Sequence, residues 1–165
     1  VWLEEAARDV TALGGNTVLG LLVTAVAVYL GLSRRWRTAL LVCASIGLGF
    51  VAIYVLKLGF ARPRPELVPH RQQVYWSSFP SGHAMGAALT FLTLAALLAR
   101  VERRRRVQAF LLGVALAMTG LVGISRVYLG VHYPTDVLGG WGVGAAWAAL
   151  TWLVMDRLGR DPPGG

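Results

Sequence analysis

Five long apolar runs, at about residues 17–32, 38–58, 81–99, 107–125 and 135–155, constrain this chain more than any other feature. Each is close to the length needed to cross a hydrocarbon core of ~30 Å as a helix, a form in which every backbone N–H and C=O is satisfied within the segment. The first, at about 16 residues, is short and needs local bilayer thinning or flanking residues to complete the crossing. Composition agrees: 56% of the 165 residues are hydrophobic, 15% are charged and the mean hydropathy is +0.59, too apolar for a soluble domain of this size. The expected architecture is therefore all-α, a polytopic transmembrane bundle of about five spans. Ahead of them, residues 1–15 set Trp2, Leu3, Ala6, Val10 and Leu13 against Glu4, Glu5, Arg8 and Asp9, the pattern of an amphipathic helix lying along the membrane surface. Residues 1–160 read as one domain, and the Pro/Gly-rich tail 161–165 is expected to be disordered.

Sixteen Lys and Arg against eight Asp and Glu give a net charge of +8. A nucleic-acid partner would require a basic face carrying base-reading or stacking residues, whereas these arginines occupy short loops between apolar runs. Ten of the sixteen fall on one side of the spans: Arg34, Arg35, Arg37, Arg100, Arg103, Arg104, Arg105, Arg106, Arg157 and Arg160. The Lys/Arg bias makes that side cytoplasmic, and the 103–106 cluster has a topological role there, with anionic lipid as a further contact. Five spans and a cytoplasmic C-terminus leave the N-terminus outside, and we expect an upstream helix to precede residue 1 in the native gene. Cys43, the one cysteine, lies inside an apolar run, so no intrachain disulfide or cysteine metal cage is available and it reads as packing.

The opposite side carries Arg8, Lys57, Arg62, Arg64, Arg71 and Arg126 with all three histidines. Its longest loop, about 59–80, is restricted by Pro63, Pro65, Pro69 and Pro80, and it carries Tyr75, Trp76 and Phe79, which suit the headgroup region. Polar groups gather at three loop–span junctions on this side: Lys57 to Arg64-Pro65, Pro80-Ser81-Gly82-His83, and Ser125-Arg126 through His132 to Asp136. Each has a plain structural explanation: Lys57 can snorkel, Arg64 can be a solvated loop charge, Ser81 and Asp136 can cap helices, and His132 can be an interfacial loop residue. Ionisable groups beside hydrocarbon are nonetheless costly, and all three clusters converge on one face.

Phosphoryl transfer is the chemistry that wants this set. Lys57, Arg64 and Arg126 supply positive charge for phosphate oxygens, and Ser81 with the Gly82 amide lies at a helix N-terminus, where N–H groups and the dipole favour an anion. His132 and Asp136, four apart, share a face if the chain there is helical, and the carboxylate can then fix the imidazole tautomer. His83 and His132 can divide the work, one attacking phosphorus and one protonating the departing oxygen, though spacing does not say which does which. A facial metal site of His83, His132 and Asp136 competes, but three cations crowding the pocket would repel a metal ion and can themselves neutralise developing charge. We expect no metal and no cofactor. His70, between Pro69 and Arg71, has no such company and reads as interfacial.

These three segments resemble the signature of the type 2 phosphatidic acid phosphatase superfamily: Lys, six residues, Arg-Pro; then Pro-Ser-Gly-His; then Ser-Arg, five residues, His, three residues, Asp. The match spans residues 57–136 without a departure. The resemblance implies a helical membrane core with His132 as the nucleophile forming a phosphohistidine, Asp136 orienting it, and His83 as general acid and then base. It also implies that Lys57, Arg64, Ser81, Gly82 and Arg126 hold the phosphate, with Ser125 in support and no metal. The implied substrate is a phosphomonoester or pyrophosphate carried by a membrane lipid, such as phosphatidylglycerol phosphate, phosphatidic acid, diacylglycerol pyrophosphate or a polyprenyl pyrophosphate, hydrolysed at the extracytoplasmic face of the cell membrane. Bacterial relatives in that family commonly have six spans, again suggesting a helix upstream. Two other readings are a vanadate-dependent haloperoxidase, whose relatives are soluble, and a non-enzymatic lipid-phosphate-binding or transport protein, in which the site would have decayed.

Overall fold

Lipid tails are as apolar as leucine, so helices in a bilayer associate through close packing of small residues and a few shared hydrogen bonds. The computed structural model describes residues 2–60, 62, 63, 65 and 77–158, and all regular structure among them is helical. The elements are α1 (Trp2–Ala12), α2 (Asn16–Leu32), α3 (Trp36–Phe60), α4 (Gly82–Val101), α5 (Arg105–Tyr128) and α6 (Pro134–Leu158). By length and composition, α3, α4, α5 and α6 can each cross a membrane, and α1 with α2 makes a fifth crossing if that pair, bent by 43°, is one span. The expected disordered tail at 161–165, together with Arg64, His70, Tyr75 and Trp76, lies outside the described residues.

The most extensive packing joins α4 to α6, and small residues permit it. A Cβ on Gly140 would lie 3.0 Å from Ser81 O and 3.2 Å from Ala84 Cβ, and one on Gly144 would lie 2.7 Å from Ala88 Cβ and 2.8 Å from Met85 O. These two glycines, four apart on α6, therefore set the interhelical distance. Gly123 of α5 accepts Trp141 and Val137 of α6 in the same way. Hydrogen bonds add to the seam: Trp141 Nε1 donates to Thr119 O at 3.1 Å, and Trp147 Nε1 donates to Ser45 O at 3.0 Å. A core of Val42, Ile46, Leu89, Leu94 and Met155 fills the space between α3, α4 and α6. Large apolar side chains on the outer faces, such as Leu48, Val51, Leu116 and Leu150, stay exposed, as a lipid-facing surface requires.

Helix α5 outlasts its apolar run by one turn. Leu129 is its C-cap and Gly130 follows at φ 67°, a left-handed position that glycine takes without a Cβ penalty. Val131 N then bonds Arg126 O at 3.3 Å and Gly130 N bonds Val127 O at 2.9 Å, the paired closure of a Schellman motif. Ser125 and Arg126 are therefore helical residues, and the loop to α6 is only Leu129 to Tyr133. Pro134 opens α6 at the first helical position, where its missing N–H costs nothing.

Candidate active site

The ends of α3 and α5 and the starts of α4 and α6 meet at one end of the bundle, bringing Lys57, Ser81, Gly82, His83, Arg126, His132 and Asp136 to the same level. Asp136 is the third residue of α6, and its Oδ2 reaches back to accept the Tyr133 N–H at 2.9 Å, a capping-box contact at the start of the helix. His132 precedes the helix in the turn, yet its Nδ1 still lies 3.5 Å from Asp136 Oδ2. The expected pairing is thus made without the helical face the spacing suggested, by a carboxylate folded back over its own N-terminus. With Nδ1 turned to Asp136, Nε2 occupies the opposite edge of the ring.

Asp136 is fully buried, and a bare carboxylate there would cost several kcal/mol in lost hydration. Donors replace the water. Ser78 Oγ donates to Oδ2 at 2.5 Å, and Arg62 Nη1 donates to Oδ1 at 2.8 Å while also reaching Thr135 Oγ1 at 2.9 Å. Ser78 Oγ lies 3.4 Å from His132 Nδ1 as well, so serine, imidazole and carboxylate form one cluster. The Arg62 guanidinium stacks 4.5 Å from the centroid of the Tyr133 ring. Its backbone is fixed too: Arg62 N donates to Ser77 Oγ at 2.9 Å and Ser78 N donates to Arg62 O at 2.8 Å. Neither Ser78 nor Arg62 was among the site residues expected from sequence. The Arg62-Pro63-Arg64-Pro65 repeat and the serine pair ahead of Pro80 were the available signals.

At the start of α4, Ser81 is the N-cap and its Oγ accepts the Ala84 N–H at 3.4 Å. Ser81 N donates to Asp136 O at 3.0 Å, a backbone bond that joins the α4 start directly to the α6 start. Gly82 follows, and a Cβ there would lie 3.4 Å from Lys57 Cε, so the glycine keeps the lysine stem close to the helix N-terminus. Lys57 Nζ donates to Ser77 O at 2.8 Å. His83, half-buried, passes beneath the Gly14-Gly15 turn: a Cβ on Gly14 would lie 3.2 Å from His83 O, and one on Gly15 would lie 3.9 Å from His83 Nε2. On α5, Ser125 Oγ donates to Val122 O of its own helix at 2.7 Å. Buried Arg126 donates from Nη1 to Thr11 Oγ1 of α1 at 3.2 Å. The N-terminal helix therefore lies over the site and contacts it, a role that amphipathicity alone did not reveal. Among the described residues, no three His, Cys, Asp or Glu side chains are grouped as metal ligands.

A helical membrane bundle with a carboxylate-held imidazole, a helix N-terminus and converging cations at one end defines a membrane-bound hydrolase of phosphate esters. The chain belongs to the PAP2 superfamily, whose family model matches residues 38–160. It is 35% identical to phosphatidylglycerophosphatase B of Bacillus subtilis (strain 168) over 147 residues, covering 87% of this chain and 70% of that protein. It is 37% identical to undecaprenyl-diphosphatase BcrC of the same organism over 99 residues, 55% of this chain and 44% of that one. The crystal structure of the transmembrane PAP2-type phosphatidylglycerolphosphate phosphatase from Bacillus subtilis superposes with a TM-score of 0.89 at 32% identity, covering 98% of this chain and 80% of that chain. The fold, the multi-pass membrane character and the phosphatase class expected from sequence all agree with these likenesses.

Proposed function

We propose that this protein is a metal-independent lipid phosphate phosphatase that works through a phosphohistidine, with residues 1–160 acting as one domain. The observation that carries the reading is the His132–Asp136 pair, in which the carboxylate engages Nδ1 and directs Nε2 away from itself. In the first step Nε2 of His132 attacks phosphorus, the bond from phosphorus to the lipid oxygen breaks, and His83 gives a proton to that oxygen. In the second step water adds to phosphorus and loses its proton to His83, the P–N bond breaks, and inorganic phosphate leaves. Asp136 holds the Nδ1 proton and offsets the charge the ring acquires. Lys57, Arg64, Arg126, Ser81 and the Gly82 amide hold the equatorial oxygens, where their positive charge and the α4 dipole stabilise the transition state.

A lipid substrate suits a site at the membrane level, because the acyl or prenyl chain stays in the bilayer while the phosphate enters the cradle. The relatives named for phosphatidylglycerol phosphate and undecaprenyl diphosphate support that class. The Lys/Arg distribution supports an extracytoplasmic site and a cytoplasmic C-terminus in the cell membrane.

The test is phosphate release by purified protein with EDTA present, comparing phosphatidylglycerol phosphate, phosphatidic acid, diacylglycerol pyrophosphate and a polyprenyl pyrophosphate with a water-soluble phosphomonoester. EDTA-resistant, vanadate-inhibited release that favours a lipid is expected. Activity abolished by EDTA would overturn the metal-free mechanism, and equal turnover of the soluble ester would overturn the lipid assignment.

A further inference from the structure

At the end of the bundle opposite His132, a cleft of about 1260 Å³ opens between α2, α3, α4 and α6. Its walls are hydrocarbon, with Leu41, Leu94 and Met155 among them, while Arg35, Arg37 and Arg100 stand among the residues at the helix ends. That volume exceeds the ~300–1,000 Å³ of an ordinary small-molecule pocket. The buried residues Val42, Ile46 and Leu89 lie between the cleft and the Lys57 end of α3, so the cleft is not an extension of the active site.

Charge says what the cleft fits. Among the described residues neither Arg35 nor Arg37 makes an ion pair, Arg100 approaches Asp156 at 3.9 Å, and Glu102, the C-cap of α4, has its Oε1 engaged by the Arg104 N–H at 2.7 Å. Trp36, Arg37 and Thr38 are the first residues of α3 and line the cleft, so the free N–H groups of that helix start add to the positive field. Arg37 lies 5.6 Å from the Trp36 ring centroid, which keeps a cation beside an aromatic group suited to the headgroup layer. Apolar walls closed by a basic mouth at the cytoplasmic end of spanning helices make a lipid headgroup site.

We propose that this cleft is a second, non-catalytic site for an anionic glycerophospholipid of the leaflet opposite the active site. The headgroup phosphate sits among Arg35, Arg37, Arg100 and the start of α3, and the acyl chains fill the space between α2, α4 and α6. Bound there, the lipid fastens the α2–α3 hairpin to the α4–α6 pair, which the hairpin touches far less than α4 and α6 touch each other.

The probe is dioleoylphosphatidylglycerol, a phosphodiester that hydrolysis of phosphomonoesters leaves intact, titrated into the purified protein and followed by native mass spectrometry against dioleoylphosphatidylcholine. Wild type is expected to retain the anionic lipid at least tenfold more tightly than the zwitterionic one. The triple variant R35Q/R37Q/R100Q should lose about tenfold in affinity, and L97W, which fills the cleft and keeps every charge, should lose a similar amount. Both should hydrolyse a water-soluble phosphomonoester at the wild-type rate. R103Q/R105Q, which removes cations outside the cleft, should bind within twofold of wild type. Equal affinity for the two lipids, unchanged retention by L97W, or an equal loss in R103Q/R105Q would each overturn the proposal. So would a dimer that L97W dissolves, since a second copy would then fill the cleft. If the triple variant does not fold, L97W and the comparison of lipids decide.

Discussion

Arg62 donates from Nη1 to Oδ1 of Asp136 at 2.8 Å, tying a proline-rich loop to a fully buried carboxylate 74 positions later. The carboxylate oxygen on the other side is held by Ser78 and by the Tyr133 N–H. Asp136 therefore has a fixed orientation before any substrate arrives, and so does the imidazole it faces. Arg62 and Ser78 supply one wall of that arrangement, so the placement of the His132 ring depends on both.

Ser78→Ala and Arg62→Ala should each remove one donor from Asp136 and leave a buried acceptor less well satisfied. The expected loss of stability is about 1–3 kcal/mol for Ser78, which is buried, and less for Arg62, whose side chain is 38% exposed. Turnover should fall in both, because His132 loses its fixed orientation. Thermal unfolding and kcat measured together check this, and wild-type kcat in both variants would refute it.

His83→Ala should slow turnover by roughly 10²- to 10⁴-fold on a lipid phosphate. On a substrate with a good leaving group, such as an aryl phosphate, the loss should shrink, since that oxygen needs less protonation. Equal losses on the two substrates would remove His83 from the general-acid role.

Thr11→Val keeps the shape of the side chain and deletes the hydroxyl that accepts from Arg126 Nη1. The variant should fold normally and raise KM for phosphate substrates several-fold with a smaller change in kcat, because Arg126, proposed to hold the phosphate, is less well placed. Thr11→Ser should restore KM. Steady-state kinetics separates this from a purely structural role, in which Ser would rescue no better than Val.

Gly144→Val should be far more damaging than its distance from the site suggests. A Cβ there already meets Ala88 Cβ at 2.7 Å, and two further methyl groups would force α4 and α6 apart. Loss of monodisperse protein on size-exclusion chromatography, or a strongly lowered unfolding temperature, is expected. Gly142→Val, where a Cβ meets nothing within 4 Å, is the control and should behave as wild type.

Four spans were legible because a bilayer demands apolar runs of a set length, while the expected His132–Asp136 contact is made by a different geometry from the shared helical face its spacing suggested. The helix ends were less so. The run that stops near Ser125 understates α5 because its last turn brings in the charged Arg126, and the helix continues until Gly130 ends it. Ser78, Arg62 and Thr11 were missed for a different reason: their partners lie 58, 74 and 115 positions away, and nothing local marks a side chain whose bond is created only by the closing of the bundle. Of the three cations proposed to hold phosphate, Lys57 and Arg126 stand at the end of the bundle that carries His132 and Asp136, and Arg64 lies outside the described residues.

The glycine contacts between α4 and α6 have a mechanical meaning as well. Ser81 and His83 ride on one of these helices and Asp136 on the other, and the bond from Ser81 N to Asp136 O pins their tops together. Two rods clamped along their length and at one end cannot slide past each other when the surrounding sheet of lipid swells or contracts. α2, with 17 residues and a bent junction to α1, stands outside that clamp, although its buried Leu19 still packs against Gly86 of α4. The ends of α4 and α6 that carry Ser81, His83 and Asp136 are thus referenced to the protein's own axis rather than to the membrane.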